Sequence, residues 1–176
     1  PGTEIVAELG EDMERNAIAG IAADRGEARI TLTSIADQPG TVARAIAPLA
    51  KAGIPVDMIV HAATAGEGRS DLNFTVPRAS LSAASAALEV ARDDIGFGEL
   101  LSDAEVSKVS IVGVGIRSNP ELAARMFDTL GARGINLLAV TTSEIKVSAL
   151  IRESEMEVAV RLLHDAFGLD RDSPSP

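Results

Sequence analysis

Apolar residues recur along this chain at two spacings, and the spacings alternate in a fixed order. Residues 28–35, 56–63 and 71–76 read as strands; in the last, Leu72, Phe74 and Val76 share one face and Asp71, Asn73 and Thr75 the other. Between the first two, Val42, Ala45, Ile46 and Leu49 recur at helical spacing over 41–52, and Gly53 follows as a stop. Ala36-Asp37-Gln38-Pro39-Gly40 is a turn, because Pro fixes φ and Gly releases it. Residues 65–68 read as a hairpin loop. A second helix over 80–94 carries Leu81, Ala84, Leu88, Ala91 and Ile95. Gly96 and Gly98 break it, and 99–104 can form a short edge strand.

The same order then returns. Strands are expected at 106–115, 136–143 and 145–151, with Ile145, Val147, Ala149 and Ile151 on one face. Helices are expected at 121–132, with Ala123, Met126, Phe127 and Leu130, and at 154–167, with Met156, Ala159, Val160, Leu163 and Phe167. Ile30 and Ile111, Ile35 and Ile116, Pro39 and Pro120, Ala43 and Ala124, Arg44 and Arg125, and Leu49 and Leu130 each stand 81 positions apart, as do Gly53-Ile54 and Gly134-Ile135. A register held across strand, loop, helix and strand means two copies of one module.

Each copy reads β-α-β-β-α. The first can close with 99–104 as a fourth strand. The second runs out of chain, while one apolar strand, 17–23, is left over at the other end. The economical assignment gives that strand to the second copy and makes the first an insertion within it. The predicted fold class is therefore α+β, two ferredoxin-like βαββαβ domains with antiparallel sheets and helices on one face. The expected boundaries are a polar linker or remnant of an upstream region at 1–16, a first domain at 25–105, a discontinuous second domain at 17–24 plus 106–170, and a polar, Pro-rich tail at 171–176. The opening at Pro1 reads as a fragment or a processed chain.

Composition narrows the function classes. Hydrophobic residues make up 46% of the chain but aromatics only 2%, so Ala, Val, Ile and Leu must fill the cores. Modules this small bury modest cores and lean on a neighbour or a second copy. No stretch approaches the ~20 apolar residues of a membrane span, and no basic, apolar leader is read at the start. Cysteine is absent, which excludes disulfides and thiol chemistry and fits a cytoplasmic setting. The net charge is −10 without a Lys/Arg cluster, so neither nucleic acid nor membrane is an expected partner.

Gly113-Val114-Gly115-Ile116-Arg117-Ser118 imitates a dinucleotide fingerprint, but its third Gly is Ser118 and no parallel βαβαβ series follows. There is no P-loop, two histidines alone make no metal site, and no catalytic constellation is read. What remains is the loop Asp37-Gln38-Pro39-Gly40 leading into a helix. Free amides and the positive end of the helix can hold a carboxylate there, and Asp37 can take an ammonium group. Together they suit a free amino acid. By itself the loop also reads as an ordinary turn with Asp37 as a helix-start residue.

Several stretches carry a resemblance. Ala19-Gly20-Ile21-Ala22, Ile35-Ala36-Asp37-Gln38-Pro39-Gly40, Ile54-Pro55-Val56-Asp57-Met58-Ile59, Asp71-Leu72-Asn73-Phe74-Thr75-Val76-Pro77, Val106-Ser107-Lys108-Val109-Ser110-Ile111-Val112-Gly113 and Thr142-Ser143-Glu144-Ile145-Lys146-Val147-Ser148 resemble the regulatory region, or β subunit, of bacterial aspartate kinases, a pair of ACT domains. The Thr-Ser-Glu-Ile stretch is the most specific. Over residues 17–169 the resemblance implies a non-catalytic chain that binds threonine, lysine or both between ACT domains of two chains. It would thereby impose feedback inhibition on aspartate phosphorylation in lysine, threonine and methionine biosynthesis.

The resemblance implies a site made of Asp37, Gln38, Pro39, Gly40, Thr41 and Val42 from the first loop and helix start, and Val56, Asp57 and His61 from the next strand. It adds Leu122, Ala123, Asn136, Leu137, Ser143 and Glu144 from the second module. It implies no cofactor or metal beyond the amino-acid effectors, and as partners a second copy and the kinase catalytic domain or α subunit. Pro55 stands where relatives often carry Asn and removes an amide donor; His61 stands where Gln is common and adds a titratable ring. Two rival readings are a free-standing ACT sensor that controls another enzyme or transcription, and a dimerisation unit whose site has decayed.

Overall fold

The computed structural model describes residues 18–63 and 68–169. The expected linker at 1–16, most of the loop at 65–68 and the tail at 171–176 lie outside the described residues. In chain order the elements are β1 (Ile18–Asp24), β2 (Glu27–Ala36), α1 (Thr41–Lys51), β3 (Asp57–Ala63), β4 (Arg69–Pro77), α2 (Leu81–Val90), β5 (Leu100–Asp103), β6 (Val106–Gly113), α3 (Pro120–Gly131), β7 (Ala139–Thr142), β8 (Lys146–Arg152) and α4 (Met156–Phe167). They form two four-stranded antiparallel sheets, in the orders β3-β4-β2-β5 and β1-β6-β8-β7. The chain divides into two compact units at Ala23/Asp24 and Ser107/Lys108.

In the unit 24–107, Ala28, Ile30 and Leu32 of β2 and Leu72, Phe74 and Val76 of β4 alternate onto one face and meet Ala45 and Leu49 of α1 and Ala84 and Leu88 of α2. Both helices therefore cover the same face of the sheet. The opposite face carries a polar row read across the strands: Asp57 faces Thr75, Thr75 faces Arg29, and Arg29 faces Asp103, with an ion pair of 3.5 Å between the last two. Arg78, just after β4, donates to the backbone oxygens of Glu27 (3.3 Å) and Val106 (3.0 Å). It thus joins the first residue of β2 to Val106 within this unit.

In the other unit, Val109 and Ile111 of β6 and Val147, Ala149 and Ile151 of β8 pack on Leu122, Met126 and Leu130 of α3 and Ala159, Leu163 and Phe167 of α4, with Ile18 of β1 completing the core. Ser110 and Ser148 bond across the strands at 2.8 Å, which satisfies two buried hydroxyls on the face away from those helices.

Four expectations need correction. The helix expected over 80–94 is interrupted at Ala91, where α2 ends and a short turn of helix, Arg92–Ile95, begins. The strand expected over 136–143 is only Ala139–Thr142. Ile145 does not share the core face: it sits in the turn before β8 and is 60% exposed. On α3 the fully buried stripe is Leu122, Met126 and Leu130, while Ala123 and Phe127 lie at its margin.

Candidate functional site

The loop between β2 and α1 is built from backbone bonds. The Asp37 amide donates to the Gly68 carbonyl at 2.9 Å, Gln38 to Ala36 at 3.0 Å, and Thr41 to Gln38 at 3.3 Å. Gly40 takes φ +89°, a left-handed conformation that glycine adopts without steric cost, and starts the helix from there. No side chain caps this helix start, and no acidic residue lies in its first turn. An outside anion can therefore meet both the helix dipole and first-turn amides. Asp37, Gln38, Pro39 and Gly40 are exposed and Val42 is half-buried. Thr41 is buried, and its hydroxyl accepts from Arg44 Nη2 at 2.9 Å.

Within the same unit the other sequence candidates stand apart from that loop. Asp57 opens β3, and its register partner Thr75 is itself paired with Arg29, near the start of β2; the Asp37 loop leaves the far end of β2. Val56 and Asp57 line a cavity of about 270 Å³ with Asp24, Gly26, Glu27, Pro55, Thr75, Val76 and Pro77. Three carboxylates border it, that of Glu27 belonging to a residue only 7% exposed. The Asp57 carboxylate also accepts from the Met58 amide at 2.8 Å, which supports Met58 at φ +47°. His61, nearer the loop end of β3, bonds Ser70 Oγ through Nε2 at 2.7 Å.

The second unit is divided in the same way. Asn136 and Leu137 precede β7, whereas Ser143 and Glu144 follow it. Ser143 turns the chain: its amide (2.7 Å) and its hydroxyl (3.2 Å) both donate to the Lys146 carbonyl. Exposed Glu144 lies 3.7 Å from Arg117. Leu122 is 1% exposed and packs into the core, so its side chain faces away from solvent; Ala123 is half-buried beside it. Unlike α1, α3 is capped by its own chain: Asn119 Oδ1 accepts from the Glu121 amide at 3.2 Å. Among the described residues no group of His, Asp or Glu could hold a metal ion, and no helix is long and apolar enough to cross a membrane.

Sequence reading missed Ser34 and Asp71. Ser34 sits at φ +53° in a bulge of β2, and the Asp71 carboxylate accepts its amide at 2.9 Å. The repeat held the signal, since Ser34 stands 81 positions before Gly115, which takes φ +72°.

The chain matches known proteins along nearly all its length. Residues 109–167 match the ACT domain family. Aspartate kinase of Pseudomonas fluorescens SBW25 is 44% identical over 170 residues, which is 97% of this chain and 41% of that protein. The chain thus spans 41% of the length of the curated relatives it matches. A solved structure of aspartokinase alpha and beta subunits is similar at 43% identity and a TM-score of 0.80, covering 86% of this chain and 99% of that one. The ligand-free regulatory subunit of aspartate kinase from Thermus thermophilus is similar at 40% identity and a TM-score of 0.81, over the same shares.

Proposed function

The chain belongs to the aspartate kinase family as its regulatory, ACT-domain part, and from that premise we propose that two copies bind threonine and lysine between them and so impose feedback inhibition on aspartate phosphorylation. The observation that carries this reading is that in each unit the candidate residues gather at the two ends of an open edge strand. In the first unit the strand is β3, with the Asp37 loop at one end and the Val56–Asp57 cavity at the other. In the second it is β7, with Asn136 and Leu137 at one end and Ser143 and Glu144 at the other. The repeat sets Ile59 (48% exposed) against Val140 (37% exposed), one apolar side chain on each edge.

Laying β3 antiparallel against β7 of a second copy closes both half-sites. The Asp37 loop meets Asn136 and Leu137 of that copy, while Asp57 meets Ser143 and Glu144. At the first junction the uncapped start of α1 takes the α-carboxylate, Asp37 the ammonium group, and Asn136 gives a donor and an acceptor. At the second, three carboxylates around the cavity suit a second ammonium group, which lysine has and threonine lacks. A ligand held by both copies favours one arrangement of the dimer over another, and a catalytic domain or α subunit reads that difference as inhibition.

Calorimetry of this chain with threonine, with lysine and with both tests the reading, alongside sedimentation to follow dimer formation. Asp37→Ala is expected to weaken binding at least about tenfold, because a hydrogen bond to a charged group carries roughly 1.5–3 kcal/mol. Absence of binding to either amino acid would overturn the proposal, and unchanged affinity in the variant would remove Asp37 from the site.

A further inference from the structure

We propose that Asp71 is a positioning residue for the amino-acid loop: its carboxylate holds Ser34 in a left-handed conformation, and that bulge fixes where Asp37 and the start of α1 stand. The proposal rests on the reading of the loop as the effector site. β2 pairs with β4 in register through Leu32 and Leu72, then resumes at Ile35 and Ser70, so one extra residue is inserted in β2. The step occurs at Ser34, where φ is +53°. A side chain with a Cβ meets the backbone in this region, so the conformation persists only where its surroundings determine it.

The surroundings here are specific. Asp71 Oδ1 accepts the Ser34 amide at 2.9 Å, and Arg69 Nε donates to Ser34 Oγ at 3.1 Å. From the other side, Thr33 is gripped by the chain entering β5: its amide donates to the Glu99 carbonyl at 3.0 Å, its carbonyl accepts from the Gly98 amide at 2.8 Å, and its hydroxyl accepts from the Glu99 amide at 2.9 Å. Gly98 allows that approach, because a Cβ there would stand 3.3 Å from Thr33 Oγ1 and 3.4 Å from Ser34 Cβ. Beyond the bulge, Ile35 faces Ser70, Ala36 faces Arg69 and the Asp37 amide reaches Gly68. The segment that supports the bulge thus also carries the root of the loop.

The second module makes the same left-handed step with Gly115 and needs no carboxylate. Glycine at position 34 should therefore make Asp71 dispensable. The test measures, on this chain, amide exchange at Asp37 and Gln38 together with calorimetry against threonine and lysine. Asp71→Ala is expected to speed exchange and weaken binding by about tenfold, the loss that one charge-assisted hydrogen bond supports. Asp71→Asn keeps an acceptor oxygen and should stay within about threefold of the parent. Ser34→Gly combined with Asp71→Ala should return both readouts to within about threefold.

A merely structural role for Asp71 would lower stability without this rescue. Unchanged exchange and affinity in Asp71→Ala, or failure of the glycine to restore them, overturns the proposal. If the parent chain binds neither amino acid, the effector reading fails alone, and exchange at Asp37 still decides whether the bulge is held as argued.

Discussion

The two modules start their first helix in opposite ways. α1 begins at an exposed glycine, with no side-chain cap and no acid in its first turn; α3 begins at Asn119, which accepts the Glu121 amide, and carries Glu121 itself as a negative charge at the dipole's positive end. Both otherwise follow the same strand order, each around its own core. One helix start is already satisfied by its own sequence, and the other has amides to offer. A duplicated fold can thus keep its packing in both copies while only one keeps the loop chemistry for an anion. On the proposed function, one copy then supplies the amides and the other supplies side chains such as Asn136 and Glu144.

The largest expected effect tests how separate the two modules are. Phe74 lies in one core and Met126 in the other, each fully buried. Phe74→Ala should cost about 3–5 kcal/mol and Met126→Ala about 2–5 kcal/mol, since both leave cavities that neighbours fill only in part. Hydrogen exchange should show α1 and α2 losing protection first in Phe74→Ala, and α3 and α4 first in Met126→Ala. Equal loss in all four helices from either variant would mean that the modules unfold as one unit, and the comparison between them would lose its energetic meaning.

A smaller effect concerns the left-handed step that both modules take. Gly115 has open space where a Cβ would point, so Gly115→Ala tests the backbone alone. It should cost about 1–2 kcal/mol, and thermal unfolding would register it as a lowered Tm. Ser34→Gly, at the matching position, should change stability by less, because the strain it relieves is offset by the greater freedom of glycine in the unfolded chain. If Gly115→Ala were neutral, Ser34 would need no special support and the role given to Asp71 would weaken with it.

Much of the fold was legible because its signals are local. Leu72, Phe74 and Val76 alternate, Val42, Ala45 and Leu49 follow helical spacing, and the matched pairs align the modules. The polar strand positions were harder to read: Thr75 and Ser148 are 1% exposed although alternation assigns them to the outer face. Alternation says which way a side chain points and not what covers it. Ile145 failed for a related reason, since its apolar character fits the pattern but a turn residue lies outside the pleat. At the candidate site the Asp37 loop and its open amides were readable from Pro39 and Gly40. The distance between Asp37 and Asp57 was not, because it depends on how β3 registers on β4. Nor was the bulge at Ser34, where nothing in the residue's own chemistry calls for a positive φ.

The smallest effect sits at the cavity end of the first module. Thr75 stands two residues before the end of β4, and Leu150 stands two residues before the end of β8. Both are buried, but the Thr75 hydroxyl oxygen has no hydrogen-bond partner among the described residues. A buried polar group without a partner costs about 1–3 kcal/mol, and its isostere without the hydroxyl avoids that cost. Thr75→Val should therefore raise stability by about 1 kcal/mol, a Tm increase of roughly 4–8 °C for a domain of this size. A lowered Tm would show that the hydroxyl is bonded in solution. Calorimetry with lysine on the same variant separates two meanings of the gain. Unchanged affinity makes Thr75 a polar remnant that the second module has replaced with leucine. Weakened affinity makes its hydroxyl a ligand group beside Asp57 and Glu27, kept unsatisfied in the free chain because the ligand satisfies it.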